Sequence, residues 1–309
     1  MTRVVFLDAG TLPQGLAFSG DAGVQYTPHD TTAPGEVAGR IAEADIVITN
    51  KVRLGASEMR AAPKLRLIAV AAAGTDNIDL ASAAELGLAV KNVPDYGSDS
   101  VAEHAIAALF ALCRALPVYT AAARDGRWSA SPHFCWNGPP IRDVAGSRFG
   151  IVGRGRIGEA VARIAQGVGM QVTFAQTPDM PCRDDELPLD ALLEQSDAIT
   201  LHLPLTPRTR GLIDAKALRR MRREAILINT GRGALVDASA LAVALREGVI
   251  AGAAIDVLDV EPPPSDHPLL VAGIPNLLLT PHVAWASDAA QSKLAGRLVD
   301  MVRIQAAKK

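Results

Sequence analysis

The sequence predicts an α/β fold of two doubly wound domains, each with a parallel sheet. Short apolar runs rich in Val, Ile and Leu alternate with Ala- and Leu-rich helical stretches. Such continuous runs are typical of parallel strands that helices cover on both faces. The chain of 309 residues is also longer than one ordinary domain, and the runs fall into two series.

The composition is that of a soluble globular protein with a small-molecule partner. Charged residues make up 21% and the formal net charge is −2, which gives no electrostatic surface for nucleic acid or an anionic membrane. The three cysteines, Cys113, Cys135 and Cys182, lack paired spacing, so we expect core or surface thiols in a reducing compartment. Residues 1–9 are too short for a signal-peptide core or a membrane span, so a cytoplasmic location is expected.

The first series of apolar runs predicts strands at residues 4–7, 46–49, 65–70 and near Val90, enough for a small sheet. A long helix follows. It should start near Ser98–Ser100, because Ser100 and Glu103 have the spacing of a capping box, and end at about Leu116 before Pro117. Its residues are mostly small and apolar, which predicts burial between two domains.

The second series predicts six strands, the number in a dinucleotide-binding sheet, at residues 149–152, 172–174, 198–203, 225–230, 252–257 and 277–280. A polar excursion over 124–143 precedes it, and a last helical stretch, 286–302, should cross back to the first domain. We therefore predict a first domain of residues 1–98 plus 282–309 and a second domain of residues 99–281.

A glycine-rich loop follows the first strand of the second series and opens a helix predicted at 159–168. Its G-x-G-x-x-G pattern would use Gly153 for the tight turn, Gly155 for close approach of the backbone to a pyrophosphate, and Gly158 for helix–strand packing. The alternative is a tight turn without ligand. The predicted cofactor residues of the loop are Gly153, Gly155, Arg156, Ile157 and Gly158.

The next strand lacks the acidic residue that usually binds the adenosine ribose, because Gln176 stands at that point. A glutamine side chain can donate and accept hydrogen bonds but does not repel a 2′-phosphate. Both NAD(H) and NADP(H) therefore remain open. No arginine directly follows Gln176, and Arg183 is the nearest candidate, which favours NAD.

Three titratable or charged residues follow later strands, where open α/β sheets place their sites. Arg232 lies in the sequence Asn-Thr-Gly-Arg-Gly, Glu261 precedes a run of three prolines, and His282 follows Thr-Pro. Each residue alone could be structural. The remaining histidines named here, His29, His104, His133 and His267, are interpreted as structural, and no histidine pair has metal-site spacing.

Together, and in this order behind the glycine-rich loop, these motifs resemble the D-2-hydroxyacid dehydrogenase family over nearly the whole chain. The resemblance implies a Rossmann dinucleotide-binding domain inserted in a smaller, flavodoxin-like substrate domain. It implies that Arg232 binds the substrate carboxylate, that His282 is the acid/base and that Glu261 orients His282. The backbone N–H groups of Ala73 and Gly74 would hold the same carboxylate.

The chemistry of these residue types agrees with those roles. An arginine grips a planar carboxylate through two parallel hydrogen bonds, and an imidazole exchanges protons near neutral pH. The resemblance also implies that Asp256 contacts the nicotinamide amide. The other residues that would line the cofactor are Val101, His202, Leu203, Pro204, Thr209, Thr230, Gly231, Arg232, His282 and Ala284.

Within the family, the Glu-Pro-Pro-Pro and His-Val-Ala-Trp sequences are similar to glycerate dehydrogenase, also called hydroxypyruvate reductase. Reduction of hydroxypyruvate or glyoxylate to D-glycerate or glycolate is the expected reaction. The alternatives are a formate or phosphite dehydrogenase, although the family's formate enzymes pair the histidine with Gln, and a non-catalytic, dinucleotide-sensing corepressor. The family also implies a homodimer, with residues 124–143 as an embracing arm.

Overall fold

In the computed structural model, which describes residues 1–18, 23–178 and 183–307, the chain forms two units, each with its own parallel sheet. Unit 1 comprises Met1–Gly97 with Ala286–Lys309, and unit 2 comprises Ser98–Trp285. Residues 282–285, which the sequence placed with the first domain, lie in unit 2, where their backbone bonds to Asp256. Cys182 lies outside the described residues.

Where the structure describes it, unit 1 contains five strands that pair in parallel: β1 (Thr2–Phe6), β2 (Val24–Pro28), β3 (Ile46–Thr49), β4 (Leu67–Val70) and β5 (Ala89–Asn92). The strand order is β2-β1-β3-β4-β5. This is the flavodoxin-like order, and it confirms the predicted fold of the smaller domain.

Strand β2 is the element that the apolar pattern misses in unit 1. It lies at the sheet edge, pairs only with β1 and exposes at least part of every residue. The central strands β3 and β4 are buried at every position and therefore give unbroken apolar runs. An edge strand that is partly exposed to solvent does not give an unbroken apolar run. Strand β2 also ends in Pro28, a residue that sheets accept mainly at their edges.

Three short helices belong to unit 1, namely α1 (Val37–Ile41), α2 (Ala56–Arg60) and α3 (Leu80–Glu85). They bury apolar side chains against alternate residues of the strands. Val5, Val47 and Ile68 share this core with Ile41 and Met59. The burial explains why such short helices persist, since isolated helices of this length are unstable in water.

The described residues of unit 2 contain seven parallel strands: β6 (Arg148–Val152), β7 (Gln171–Ala175), β8 (Glu186–Leu187), β9 (Ala198–Leu201), β10 (Ile226–Asn229), β11 (Gly252–Ile255) and β12 (Leu277–Leu279). The order is β12-β11-β10-β9-β6-β7-β8. This is the Rossmann order with one strand added at the β12 edge. The prediction of six strands was wrong because β8 has only two residues and no apolar run.

Helices cover both faces of this sheet: α4 (Ser98–Cys113), α5 (Leu116–Arg124), α6 (Arg156–Gly167), α7 (Leu189–Gln195), α8 (Ala215–Arg220) and α9 (Ala238–Arg246). One core contains α4 and α6, and the other contains α7, α8 and α9. The doubly wound prediction is thereby confirmed. The helix predicted from near Ser98 to about Leu116 is confirmed over Ser98–Cys113, and it ends short of Leu116 because Ala115 has φ +48°. The second helix, α5, was not predicted.

In the described part of the chain, no single helix is long and apolar enough to cross a membrane. Helices α4 and α5 reach that length and composition only as a pair, with a 60° bend between them.

The last helix, α10 (Asp288–Ala306), returns to unit 1. Ser287 caps its N-terminus, where the hydroxyl accepts a hydrogen bond from the Ala290 N–H. The helix contacts β4 and fully buries Leu294, Leu298 and Val302. Helix α10 therefore adds buried side chains to the core of unit 1, although the strands of that unit lie almost 200 residues earlier in the chain.

Candidate active site

The predicted residues of unit 2 lie at the carboxyl ends of six strands of one parallel sheet. This edge is where open α/β sheets bind ligands. Strand β6 leads to residues 153–158, β7 to Gln176, β9 to residues 202–204, β10 to residues 230–232, β11 to Asp256, and β12 to residues 282–284. Val101 is buried on α4, and Thr209 is buried in the loop after β9, where its hydroxyl donates to the Pro204 carbonyl.

The glycine-rich loop meets β9 at the point where the strand order reverses. Gly153 has φ +108°, and a Cβ there would lie 2.5 Å from the His202 carbonyl oxygen. A Cβ at Gly158 would collide with the Gly153 carbonyl. At Gly155, the residue before α6, a Cβ would meet nothing within 4 Å. Gly153 and Gly158 are therefore required by the packing of the chain itself. Gly155 instead leaves open space before the N-terminus of the helix.

This contrast gives a test of the pyrophosphate site. Gly155→Ala should leave the melting temperature unchanged and weaken NADH binding about tenfold, since the new methyl group enters only the space for the ligand. Gly158→Ala is the matched control and should lower the melting temperature through overpacking. Fluorescence titration and thermal unfolding check both variants. Equal loss of stability in the two variants would contradict the assignment of Gly155.

Two buried polar atoms beside the loop have no hydrogen-bond partner within the described residues, His202 Nδ1 and Thr230 Oγ1. The other ring nitrogen of His202 bonds to Thr200 Oγ1 at 2.8 Å. Unpaired buried polar atoms cost about 1–3 kcal/mol each. A ligand that bonds to these atoms recovers that cost, so the edge of the sheet fits a polar cofactor such as a nicotinamide dinucleotide.

Burial lowers the pKa of His202 to about 3, so its imidazole is neutral at physiological pH. The unfolded chain takes up a proton at this residue below pH 6.5, whereas the folded chain does not. The contribution of His202 to the free energy of unfolding is therefore fully present above pH 6.5 and is lost as pH falls toward 3. The loss is about 2 kcal/mol at pH 5.

His202→Gln, which can keep the bond to Thr200, should remove this part of the acid sensitivity. We expect the free energy of unfolding to fall between pH 8 and pH 5 by about 2 kcal/mol less in the variant. Urea unfolding at both pH values measures the difference. Parallel losses in the two proteins would show that His202 is not the group responsible.

The end of β7 lies beside charged groups that are not among the predicted site residues. The Arg154 guanidinium stacks 4.5 Å from the Phe174 ring centroid and bonds to Asp185 at 2.8 Å and Glu159 at 2.9 Å. Gln176 donates to the Glu186 carbonyl at 3.3 Å. The short strand β8 thus brings acidic residues to the position where β7 itself lacks one.

The loop of Arg232 is held by Asn229, a buried polar residue at the end of an otherwise apolar strand. The Asn229 amide donates to the Arg232 carbonyl at 2.9 Å, and its oxygen accepts the Gly231 N–H at 3.0 Å. A Cβ at Gly233 would collide with the Leu258 backbone. Gly233 therefore allows the Arg232 loop to contact the segment that leads to Glu261.

His282 and Glu261 form a hydrogen-bonded pair, as expected if Glu261 orients His282. His282 Nδ1 lies 2.7 Å from Glu261 Oε2, while Glu261 Oε1 accepts the Leu258 N–H at 2.8 Å. A carboxylate oxygen accepts, so the Nδ1 proton points at Glu261 and Nε2 is left as the proton-exchanging atom. The imidazole keeps 27% of its surface exposed, enough for access by a substrate.

The Glu261 segment is itself fixed by a buried histidine, His267. Its Nδ1 accepts the Leu269 N–H at 3.2 Å, so the proton on Nε2 donates to Asp259 at 2.9 Å. His267 is 4% exposed. The structure thus agrees with a structural role for this histidine, and the role includes holding a loop beside the site.

Asp256 is buried, with 1% of its side chain exposed, and its carboxylate bonds to the chain's own groups. Oδ1 accepts from the Thr280 hydroxyl at 2.6 Å and the Val283 N–H at 2.9 Å, and Oδ2 accepts the Ala284 N–H at 2.9 Å. Its main observed contacts are therefore with the loop that carries His282.

Ala73 and Gly74 belong to unit 1, where they follow β4 at the carboxyl end of its sheet. The Ala73 carbonyl accepts from the Asn92 amide, which comes from the end of β5. The predicted substrate loop thus lies at the ligand-binding edge of the flavodoxin-like sheet.

Comparison with known proteins gives concordant matches. Residues 106–284 match the family model described as D-isomer specific 2-hydroxyacid dehydrogenase, NAD binding domain. The chain is 44% identical to glycerate dehydrogenase of Methylorubrum extorquens over 97% of this chain and 95% of that protein. It is 36% identical to hydroxypyruvate reductase of Blautia hydrogenotrophica over 91% and 88% of the two chains.

A solved structure is similar at the level of the whole fold. The NADPH-dependent glyoxylate/hydroxypyruvate reductase of Sinorhizobium meliloti, in complex with NADP and malonate, superposes with a TM-score of 0.80 at 28% identity. The match covers 97% of this chain and 92% of that chain.

Proposed function

The chain belongs to the D-isomer specific 2-hydroxyacid dehydrogenase family, and from that premise we propose that it reduces hydroxypyruvate and glyoxylate to D-glycerate and glycolate. The observation that carries the proposal is the hydrogen bond between His282 Nδ1 and Glu261 Oε2, 2.7 Å long. It is supported by the glycerate dehydrogenase and hydroxypyruvate reductase names of the relatives. Reduction of a 2-oxo acid needs such a proton donor.

Three residues have distinct roles in the proposed reaction. Arg232 binds the substrate carboxylate through two hydrogen bonds and so fixes the position of C2. His282, protonated on both nitrogens, donates the Nε2 proton to the carbonyl oxygen as C2 is reduced. Glu261 holds the ring through Nδ1 and stabilises its positive charge. In the reverse direction, neutral His282 accepts the hydroxyl proton.

A nicotinamide dinucleotide, when bound, supplies or accepts the hydride at C2. Gly155 and the first turn of α6 would hold its pyrophosphate, because a Cβ at Gly155 meets open space, unlike one at Gly153 or Gly158. His202 Nδ1 and Thr230 Oγ1 would bond to its polar groups. These assignments rest on the glycine contacts and the two unpaired atoms.

Neither alternative function is favoured. The histidine partner is Glu261 rather than the glutamine of the family's formate enzymes. A corepressor that only senses the cofactor has no need for an acid/base pair, whereas this chain keeps both members at hydrogen-bond distance. The relatives compared are named as reductases or dehydrogenases.

The test is a panel of 2-oxo acids with NADH and NADPH in parallel. We expect turnover with hydroxypyruvate and glyoxylate, and less with bulkier or branched 2-oxo acids. Chiral chromatography of the glycerate product should give the D isomer. Cofactor binding without turnover of any 2-oxo acid would favour the sensor and overturn the proposal.

We propose NADH as the preferred cofactor. Arg154 is already neutralised by Asp185 and Glu159, so a 2′-phosphate near Gln176 would meet acidic groups and no free partner among these three residues. Asp185→Asn should release Arg154 and raise the ratio of kcat/KM for NADPH to that for NADH about tenfold. Asp184→Asn removes the same charge one residue away and should leave the ratio unchanged. Equal ratios in both variants would contradict the role of Arg154.

We propose a homodimer in which residues 124–143 contact a second copy of the chain. This segment exposes large apolar side chains, with Trp128 at 52%, Phe134 at 93% and Ile141 at 48% exposure. Exposed apolar patches of this kind mark interaction surfaces. Light scattering should give twice the 32.3 kDa chain mass, and Phe134→Asp should shift the protein toward monomer.

A further inference from the structure

The loop that carries His282 has a backbone conformation that its sequence does not favour. His282 has φ +55°, in the left-handed region, which only a few per cent of residues other than glycine adopt. Such a conformation persists only where the surrounding structure imposes it. The groups that restrain residues 280–284 therefore decide where the imidazole points.

Strand β11 supplies the first set of restraints through Asp256. Its carboxylate accepts hydrogen bonds from Thr280, Val283 and Ala284. The His282 N–H bonds to the Asp256 carbonyl at 2.8 Å. Asp256 thus holds the residues on both sides of His282.

Helix α4 supplies a second set through Ser100 and His104, which we call the α4 pair. The two residues are four positions apart and so lie on one face of the helix. Ser100 Oγ donates to the Ala284 carbonyl at 2.7 Å. His104 Nε2 lies 3.2 Å from Thr280 Oγ1 and 3.9 Å from Asp256 Oδ1.

The direction of these hydrogen bonds follows from the donors. The Thr280 hydroxyl donates to the Asp256 carboxylate, which can only accept, so its oxygen accepts the Nε2 proton of His104. A chain of hydrogen bonds therefore runs from α4 through Thr280 and Asp256 to the N–H groups of Val283 and Ala284. It ends on the residues that follow His282.

We propose that Ser100 and His104 are positioning residues for the reduction. They contact the two ends of the 280–284 loop and so fix the direction of the His282 imidazole without contacting substrate. The inference rests on the proposed function, in which His282 is the proton donor. A misplacement of about 1 Å at a reacting group can cost about 100-fold in rate, so loss of the α4 pair should be seen in kcat.

The experiment compares substitutions that differ in hydrogen bonding more than in size. His104→Met removes the donor, whereas His104→Gln restores an N–H at a similar distance from the backbone. Ser100→Ala removes the hydroxyl and Ser100→Thr keeps it. We expect kcat for hydroxypyruvate to fall about 10- to 100-fold in the Met and Ala variants and to recover substantially in the Gln and Thr variants.

Three further measurements separate positioning from damage to the fold. Melting temperature and the dissociation constant for NADH should change little in all four variants. Glu103→Gln, at an exposed position between the pair, should behave like the unmodified protein. A kcat loss that only follows a large drop in melting temperature, or that is equal in His104→Gln and His104→Met, would overturn the proposal.

A double-mutant cycle with His282→Ala is the sharpest readout. If the α4 pair acts through the imidazole, His104→Met should cause no further loss of kcat once the imidazole is absent. An undiminished effect of His104→Met in that background would overturn the proposal. Failure of the proposed function is distinguishable, because His282→Ala alone would then retain full rate.

Discussion

His282→Ala is expected to lower kcat for hydroxypyruvate reduction by about 10²–10⁴-fold, the range that general acid catalysis contributes. The imidazole is the proton donor in the proposed reaction, and its Nδ1 lies 2.7 Å from Glu261 Oε2. The dissociation constant for NADH should change far less than kcat. Stopped-flow or steady-state absorbance at 340 nm measures the rate, and fluorescence titration measures binding.

Two variants make this result specific. His29→Ala removes a half-buried histidine of unit 1 to which no role in the reaction is assigned, and it should retain full activity. Glu261→Gln keeps a hydrogen-bond acceptor but removes the charge, so it should fall between the unmodified protein and His282→Ala. Full activity of His282→Ala would remove the basis of the proposed function.

Arg232→Gln should lower kcat/KM for hydroxypyruvate by about 10²–10³-fold, corresponding to about 3–4 kcal/mol for loss of a paired, hydrogen-bonded charge. The carboxylate of the substrate would lose both its countercharge and its orientation. Saturation curves across several 2-oxo acids should show KM rising for each of them, because all share the carboxylate.

Arg232→Lys is the matched variant for geometry. Lysine keeps the positive charge but replaces the planar guanidinium by a single ammonium group. The variant should therefore recover part of the affinity for the substrate carboxylate but little of the orientation of C2. We expect its KM to approach the original value more closely than its kcat does. An unchanged kcat/KM in Arg232→Gln would show that groups other than Arg232 bind the substrate carboxylate.

The pattern of apolar runs predicted both sheets because their central strands are buried on two faces. Strands β3, β4, β9, β10 and β11 have no exposed residue and read as unbroken apolar stretches. The edge strands β2 and β8 have no such signature and were missed. The left-handed residue Ala115 gives no signal either, because alanine favours helix continuation.

The predicted site could be placed because each of its motifs adjoins a strand end, and parallel strands bring those ends to one edge. The supporting residues are harder to predict. Ser100 and His104 lie in an apolar helix, 184 and 176 positions from the residues of the loop that they contact. Only the tertiary fold brings them together, so their residue types alone point to structural roles.

The return of α10 to unit 1 has a consequence for the order in which the protein forms during synthesis. Unit 2 is one continuous stretch, and all of its strands and both of its cores are present before residue 286. The strands of unit 1 are synthesised before unit 2, but α10, which buries Leu294, Leu298 and Val302 and contacts β4, is synthesised only after all of unit 2. Because domains fold as units during translation, we expect the inserted unit to fold first and the flanking unit to be completed only when α10, which follows the inserted unit in the chain, has been synthesised.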